Sequence, residues 1–161
     1  MERPTRKRNR LDIYDYSMPN AYFVTICTVE RKNLFWANDI QRLSRPQDVR
    51  LSPYGEIVDR TIHEISNHYP SVSVDHYAVM PNHIHLLLQI HTDGDGQPVV
   101  APSISRVIKH MKGAVTRQAG IPVWQKGFYD HVIRGEKEYQ EIWNYIERNP
   151  MKWNQDELYR E

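Results

Sequence analysis

Two histidines separated by one apolar residue, His83-Ile84-His85, are the pair in this sequence best suited to hold a metal ion. The run from His83 to Ile90 reads as a strand, and alternate side chains of a strand share a face. His83, His85, Leu87 and Gln89 then point one way, and Ile84, Leu86, Leu88 and Ile90 point the other way, into a core. Same-face neighbours lie about 6.6 Å apart along the backbone, close enough for two imidazoles to converge on one ion. Neutral imidazole is a good ligand for Mn²⁺, Zn²⁺ and similar metals. The plainer reading is two polar residues on the exposed face of a half-buried strand.

A second group lies near the C-terminus. Tyr139, Ile142, Trp143 and Ile146 repeat at i, i+3, i+4, i+7 and form the buried stripe of a helix. Tyr145 and Asn149 are four apart, so they stack on a face that borders this stripe. A phenol at such an edge is anchored by the core yet open to a substrate. The plainer readings are a boundary tyrosine, one of 10 in the chain, and an ordinary helix-terminal asparagine.

The elements that position these groups follow from pattern. Tyr22 to Val29 is rich in β-formers and reads as a strand. Ser52-Pro53 opens a helix, with serine as N-cap and proline at the first helical position, and Pro70 lies beyond its end. Val72 to Val79 is a second strand, and Met80-Pro81-Asn82 turns the chain into His83 to Ile90. Residues 91–102 form a loop with Asp93-Gly94-Asp95-Gly96 and Pro98. Ser103 caps a helix to about Gln118, stopped by Gly120 and Pro122. Val123-Trp124-Gln125 and Tyr129 to Ile133 are short strand candidates. Glu136 to about Arg148 is the last helix, ended by Pro150. The order β-α-β-β-α-β-α predicts an α+β protein: a ferredoxin-like antiparallel sheet with helices on one face, plus a C-terminal tyrosine-bearing helix.

The 161 residues suit one domain over 1–161, with 1–20 as a basic N-terminal arm. Hydrophobic residues at 40% and charged residues at 25% are ordinary for a globular protein. The longest apolar run, Leu86 to Leu88, is too short to span a bilayer, and no apolar stretch follows the basic start. These features predict a cytoplasmic protein without a membrane partner. Cys27 is the single cysteine, which excludes an internal disulfide and a Cys-rich zinc site. It reads as core packing. Net charge is only +1, but the cations cluster. Arg3, Arg6, Lys7, Arg8 and Arg10 crowd the arm, and Arg106, Lys109, Lys112 and Arg117 share one predicted helix. Both are candidate phosphate-binding surfaces, against the plainer reading of a solvated tail and helix face.

The stretch Tyr77-Ala78-Val79-Met80-Pro81-Asn82-His83-Ile84-His85 closely resembles the HUH motif of single-tyrosine transposases, in which two histidines flank a hydrophobic residue. Val123-Trp124-Gln125 through Phe128-Tyr129-Asp130-His131-Val132-Ile133-Arg134 is similar to the segment before their tyrosine helix. Tyr145-Ile146-Glu147-Arg148-Asn149-Pro150 looks like that helix, and its Asn-Pro ending resembles the branch associated with repetitive extragenic palindromes. The match runs from about Tyr22 to Trp153, and order, spacing and completeness make it specific. The resemblance implies that His83 and His85 ligate a divalent metal, Mg²⁺ or Mn²⁺, and that Tyr145 is the nucleophile. Asn149 stands where the family carries a polar third ligand, often glutamine, which is one carbon longer. Implied too is a transesterase on single-stranded or hairpin DNA: tyrosine keeps the 5′-phosphate, the 3′-hydroxyl leaves, and rejoining needs no ATP. No G-x-x-x-x-G-K-[ST] loop is present. Grip on DNA is expected from the basic surfaces and from Trp124, Phe128 and Tyr129 stacking on unpaired bases. His131 and Asp130 are plausible neighbours of the site.

Two other readings use the same residues. One is a domesticated protein that grips hairpin DNA without cutting it. The other is a metal-dependent phosphodiesterase using water, with Tyr145 structural. A trapped protein–DNA adduct separates the first reading from both. Relatives that dimerise exchange the tyrosine helix between subunits, so a homodimer also stays open.

Overall fold

In the computed structural model, which describes residues 20–37, 49–91 and 102–160, four strands form one antiparallel sheet. They are β1 (Asn20–Cys27), β2 (Val72–Val79), β3 (His83–Ile90) and β4 (Tyr129–Val132), in the order β2-β3-β1-β4. With helices α1 (Pro53–His68) and α2 (Ile104–Ala119) in the two connections that cross the sheet, this is the expected ferredoxin-like arrangement. Residues 1–19 of the basic arm, residues 38–48 and most of the expected loop at 91–102 lie outside the described residues.

The caps form as the sequence predicts. The Ser52 side chain accepts from the Gly55 amide and the Ser103 side chain from the Arg106 amide. Val58, Ile62 and Ile65 of α1 and Ile104, Val107, Ile108, Met111 and Val115 of α2 pack on Ile84, Leu86, Leu88 and Ile90 of β3. Burying each such aliphatic side chain contributes about 1.5–3 kcal/mol, so this layer is the main source of stability. The third helix, α3 (Glu136–Arg148), crosses to the opposite face of the sheet. There Ile146 joins Leu87, Ala78, Met80, Ile133 and Trp36 in a second apolar cluster. Among the described residues, no helix is long and apolar enough to cross a membrane.

Three features differ from expectation. The first strand ends at Cys27 rather than Val29, because Thr28 leaves the ladder to bridge Trp124 and a 3-10 turn begins at Val29. Val123-Trp124-Gln125 is accordingly an isolated bridge, tied by Val29 N–H to Val123 O at 2.8 Å and Gln125 N–H to Cys27 O at 2.9 Å. A second 3-10 segment, Pro150–Gln155, continues the chain after α3 and turns it back across the sheet. The sequence pattern gave no sign of it.

Candidate active site

Because β3 is an inner strand, covered by α1 and α2 on one face and by α3 on the other, its polar positions are enclosed. His83 is fully buried and His85 is 4% exposed, so the pair does not lie on an exposed strand face. Each ring is held at its Nδ1. His85 Nδ1 lies 2.8 Å from Thr25 Oγ1, its cross-strand partner. His83 Nδ1 lies 2.8 Å from Asn82 Oδ1. The orientation of the Asn82 amide follows from its other contacts: Nδ2 donates to the carbonyls of Leu158 at 2.6 Å and Arg31 at 3.4 Å, and a carbonyl can only accept. Oδ1 therefore faces His83, whose Nδ1 must carry the proton. The lone pair of His83 is left on Nε2.

Four buried polar atoms converge here without a hydrogen-bond partner: His83 Nε2, His85 Nε2, Asn149 Oδ1 and Asp156 Oδ2. The donor atoms of His83, His85 and Asp156 lie within 4.8 Å of one another. Buried polar atoms cost free energy unless satisfied, so such a cluster fits a divalent cation. The electrostatics agree. Burial, reinforced by His83 and opposed by Asp156, pushes the His85 imidazole down to about 3, which keeps it neutral and ligand-competent. Burial raises the Asp156 carboxyl, while the Leu158 amide and, where its Nε2 carries a proton, the His83 ring 3.5 Å away bring it below its ordinary value; with the lone pair on Nε2 instead, that place beside the carboxylate suits a cation. Asp156 is a candidate ligand that sequence reasoning missed. It follows the 3-10 segment that the pattern does not announce, and only the fold brings it to His83.

Tyr145 projects from α3 into the same place. It is 49% exposed, as expected of an edge position. Its ring meets Phe23 at 6.0 Å and His85 at 5.4 Å, both edge-on. Burial raises its pKa, while a hydrogen bond from Asn149 lowers it and Asp156 and Glu157 raise it. Asn149, 5% exposed, thus serves the phenol with its amide while its Oδ1 stays unpartnered. The helix is anchored along its length. Gly135, with φ at 130°, allows the abrupt passage from β4 into α3. Tyr139 is more than a core residue: its hydroxyl donates to Asp75 Oδ2 at 2.6 Å. A bulge between Val74 and His76 in β2 brings His76 under Trp143, stacked at 4.4 Å, with Nε2 2.7 Å from Glu147.

Tyr145, His85, Asn149 and Asp156 line one cleft of about 890 Å³. Its cations are Arg31, Arg148 and Lys152. None of these was singled out from the sequence. Arg31 sits in a 3-10 turn (Val29–Arg31) where Glu30 and Arg31 have φ of 52° and 53°, the only positive values at non-glycine residues among those described. Left-handed backbone costs an L-residue about 1–2 kcal/mol. Of the expected DNA-binding residues, Arg3, Arg6, Lys7, Arg8 and Arg10 lie outside the described residues. Arg106, Lys109 and Arg117 are exposed on α2, across the sheet from the cleft. Lys112 turns inward, donating to the carbonyls of Gln125 and Gly127 at 2.8 and 2.9 Å. Among the aromatics, Tyr129 is 61% exposed and lines the cleft, whereas Trp124 and Phe128 pack against the core. His131 bonds Glu138 at 2.8 Å, beside the start of α3.

A ferredoxin-like sheet thus carries a buried histidine pair that faces a tyrosine on a covering helix, and comparison with known proteins gives the class to which this arrangement belongs. The family model described as "Transposase IS200 like" matches residues 21–149, and the chain belongs to that family. An uncharacterised protein of Haemophilus influenzae is 31% identical over 96% of this chain and 93% of its own length. A second protein of that organism, named as a candidate REP-associated tyrosine transposase, is 25% identical over 86% of this chain and 74% of its own. The solved structure of a REP-associated tyrosine transposase bound to a REP hairpin has the same fold. Its TM-score is 0.59 at 19% identity, covering 89% of this chain and 74% of that one.

Proposed function

We propose that this protein opens and rejoins single-stranded, hairpin-forming DNA through a 5′-phosphotyrosine at Tyr145, with a divalent ion, Mg²⁺ or Mn²⁺, at His83, His85 and Asp156. The observation that carries the reading is the meeting of an accessible phenol with unpartnered donor atoms in one cleft. A pure binder needs neither. Membership of a transposase family supports the reading, as does the hairpin bound by the structural relative.

The chain's own residues account for much of the chemistry. A phenol titrates near 10 and burial raises Tyr145 above that value, so attack at neutral pH needs help. Asn149 donates to the Tyr145 oxygen and favours its anionic form. The Tyr145 Oη–phosphorus bond forms as the bond from phosphorus to the 3′-oxygen breaks, the phenol proton going to solvent and the 3′-oxygen leaving as a hydroxyl. Rejoining is the reverse. His83, His85 and Asp156, with Asn149 Oδ1 as a further donor, would hold the metal, which would supply charge compensation at the phosphate. Thr25 and Asn82 keep the two imidazoles turned toward that position.

Tyr145→Phe tests this, since it removes one oxygen and leaves the ring contacts with Phe23 and His85. The parent is expected to nick a labelled hairpin and leave an adduct that survives a denaturing gel. The Phe variant should bind the hairpin equally well and give neither product. An adduct on the Phe variant overturns the assignment of Tyr145, and binding by a parent that never forms an adduct identifies a hairpin-binding protein without cleavage.

A further inference from the structure

Arg31 differs from the other cleft cations in how it is held. Arg148 and Lys152 are exposed at and beyond the end of α3. Arg31 is half-buried, and its turn is fastened on every side. Its amide donates to Thr28 O at 3.0 Å, the next amide donates to Val29 O at 3.1 Å, and its carbonyl accepts from Asn82. The Thr28 hydroxyl donates to Lys32 O at 2.7 Å, closing the turn. Two consecutive left-handed residues, neither a glycine, persist only where the surroundings impose them, and such strain concentrates where a side chain must be aimed. The aim here is into the cleft that holds Tyr145 and His85. Among the described residues, no carboxylate forms an ion pair with this guanidinium. A guanidinium held in place without a carboxylate partner keeps its donors available to a phosphodiester entering the cleft.

We propose that Arg31 grips the scissile phosphate, its guanidinium donating to a non-bridging oxygen. This rests on the reading of the cleft as the strand-opening site. The planar fork of arginine matches phosphate geometry, whereas lysine offers only a point charge. The role is distinct from that of the buried histidine pair, because Arg31 acts on the substrate directly.

The test compares the parent, Arg31→Gln and Arg31→Lys on two hairpins, one normal and one with a neutral methylphosphonate at the scissile position. Thermal unfolding checks that the variants keep the fold, and Arg31→Lys, which retains the charge, stands in should Arg31→Gln be unstable. On the normal hairpin, Arg31→Gln should slow adduct formation about 100-fold, the scale seen when one donor to a developing anion is removed, with Arg31→Lys in between. On the methylphosphonate the parent should itself be slow, and the substitutions should change its rate less than about threefold, because the contact is already gone. Equal losses on both hairpins, or no loss on either, overturn the proposal. Should the parent form no adduct at all, the strand-opening reading fails on its own, and hairpin affinity decides for Arg31. A loss of about tenfold confined to the normal phosphate upholds the contact, and equal affinities overturn it.

Discussion

Replacing Asn82 with alanine removes a side chain that ties His83, the Arg31 turn and the C-terminal segment together. Asn82 is fully buried. The substitution strips the Nδ1–H of His83 and the Leu158 carbonyl of their partners, at 2.8 and 2.6 Å, and loses the weaker contact to Arg31 O at 3.4 Å. Each buried polar group left unsatisfied costs about 1–3 kcal/mol, and the Leu158 carbonyl, near the surface, recovers part of its loss from water. A destabilisation of about 3 kcal/mol follows, which a domain stable by about 5–15 kcal/mol survives. The more informative effect is on the tautomer. With Oδ1 gone, nothing obliges the His83 proton to stay on Nδ1, and Mn²⁺ affinity should fall about 10–100-fold, the usual effect of losing a group that orients a ligand. Nitrogen-15 spectra of the metal-free protein read the tautomer, and calorimetry reads the affinity. Asn82→Asp provides the contrast. It keeps the acceptor toward His83 but turns a carboxylate oxygen toward two carbonyls, so it should lose stability while keeping the Nδ1–H tautomer. A folded Asn82→Ala protein with His83 still protonated on Nδ1 and unchanged Mn²⁺ affinity would refute the reasoning.

Two further outcomes follow from contacts away from the metal ligands. In Gly55→Ala the new methyl would overlap the Phe35 carbonyl and sit 3.1 Å from Leu51 Cβ. The overlap costs about 3 kcal/mol, offset by about 1 kcal/mol of helix propensity. The net loss should lower Tm by about 4–8 °C, and an unchanged melting curve would show that the α1 start and Phe35 are not in contact. Burial, followed by the hydrogen bond to Asp75, pushes the Tyr139 phenol up to about 12. Its folded value lies above the unfolded value near 10, so its contribution is whole below pH 10 and is lost as pH rises through about 12. Tyr139→Phe should therefore be less stable than the parent by about 1 kcal/mol at pH 8, with the gap shrinking by pH 11. Denaturant midpoints at the two pH values measure it, and a constant gap counts against the Asp75 contact.

Local order was legible because local forces make it. The twofold alternation along His83–Ile90 assigned each residue to its face, Ser52 and Ser103 announced their helices through the amides they cap, and the Tyr139–Ile142–Trp143–Ile146 stripe set Tyr145 at the edge of α3. The resemblance carried by the histidine pair and the Tyr145–Pro150 stretch then pointed to the family. What tertiary structure alone decided is which groups meet. Alternation says that His83 and His85 share a face, but not that α3 covers that face and leaves their Nε2 atoms buried and unpartnered. Nothing near Asp156 distinguishes it from the other acidic residues, since its partner is a histidine on a distant strand. Lys112 read as one of four equivalent helix cations until the fold set two carbonyls within its reach, and nothing marked Arg31 until the fold held it in a left-handed turn at the cleft. Short-range patterns report how a residue relates to its own helix or strand. A site is made by side chains from several elements closing on one point, and that convergence belongs to the packing of the whole sheet and its covering layers.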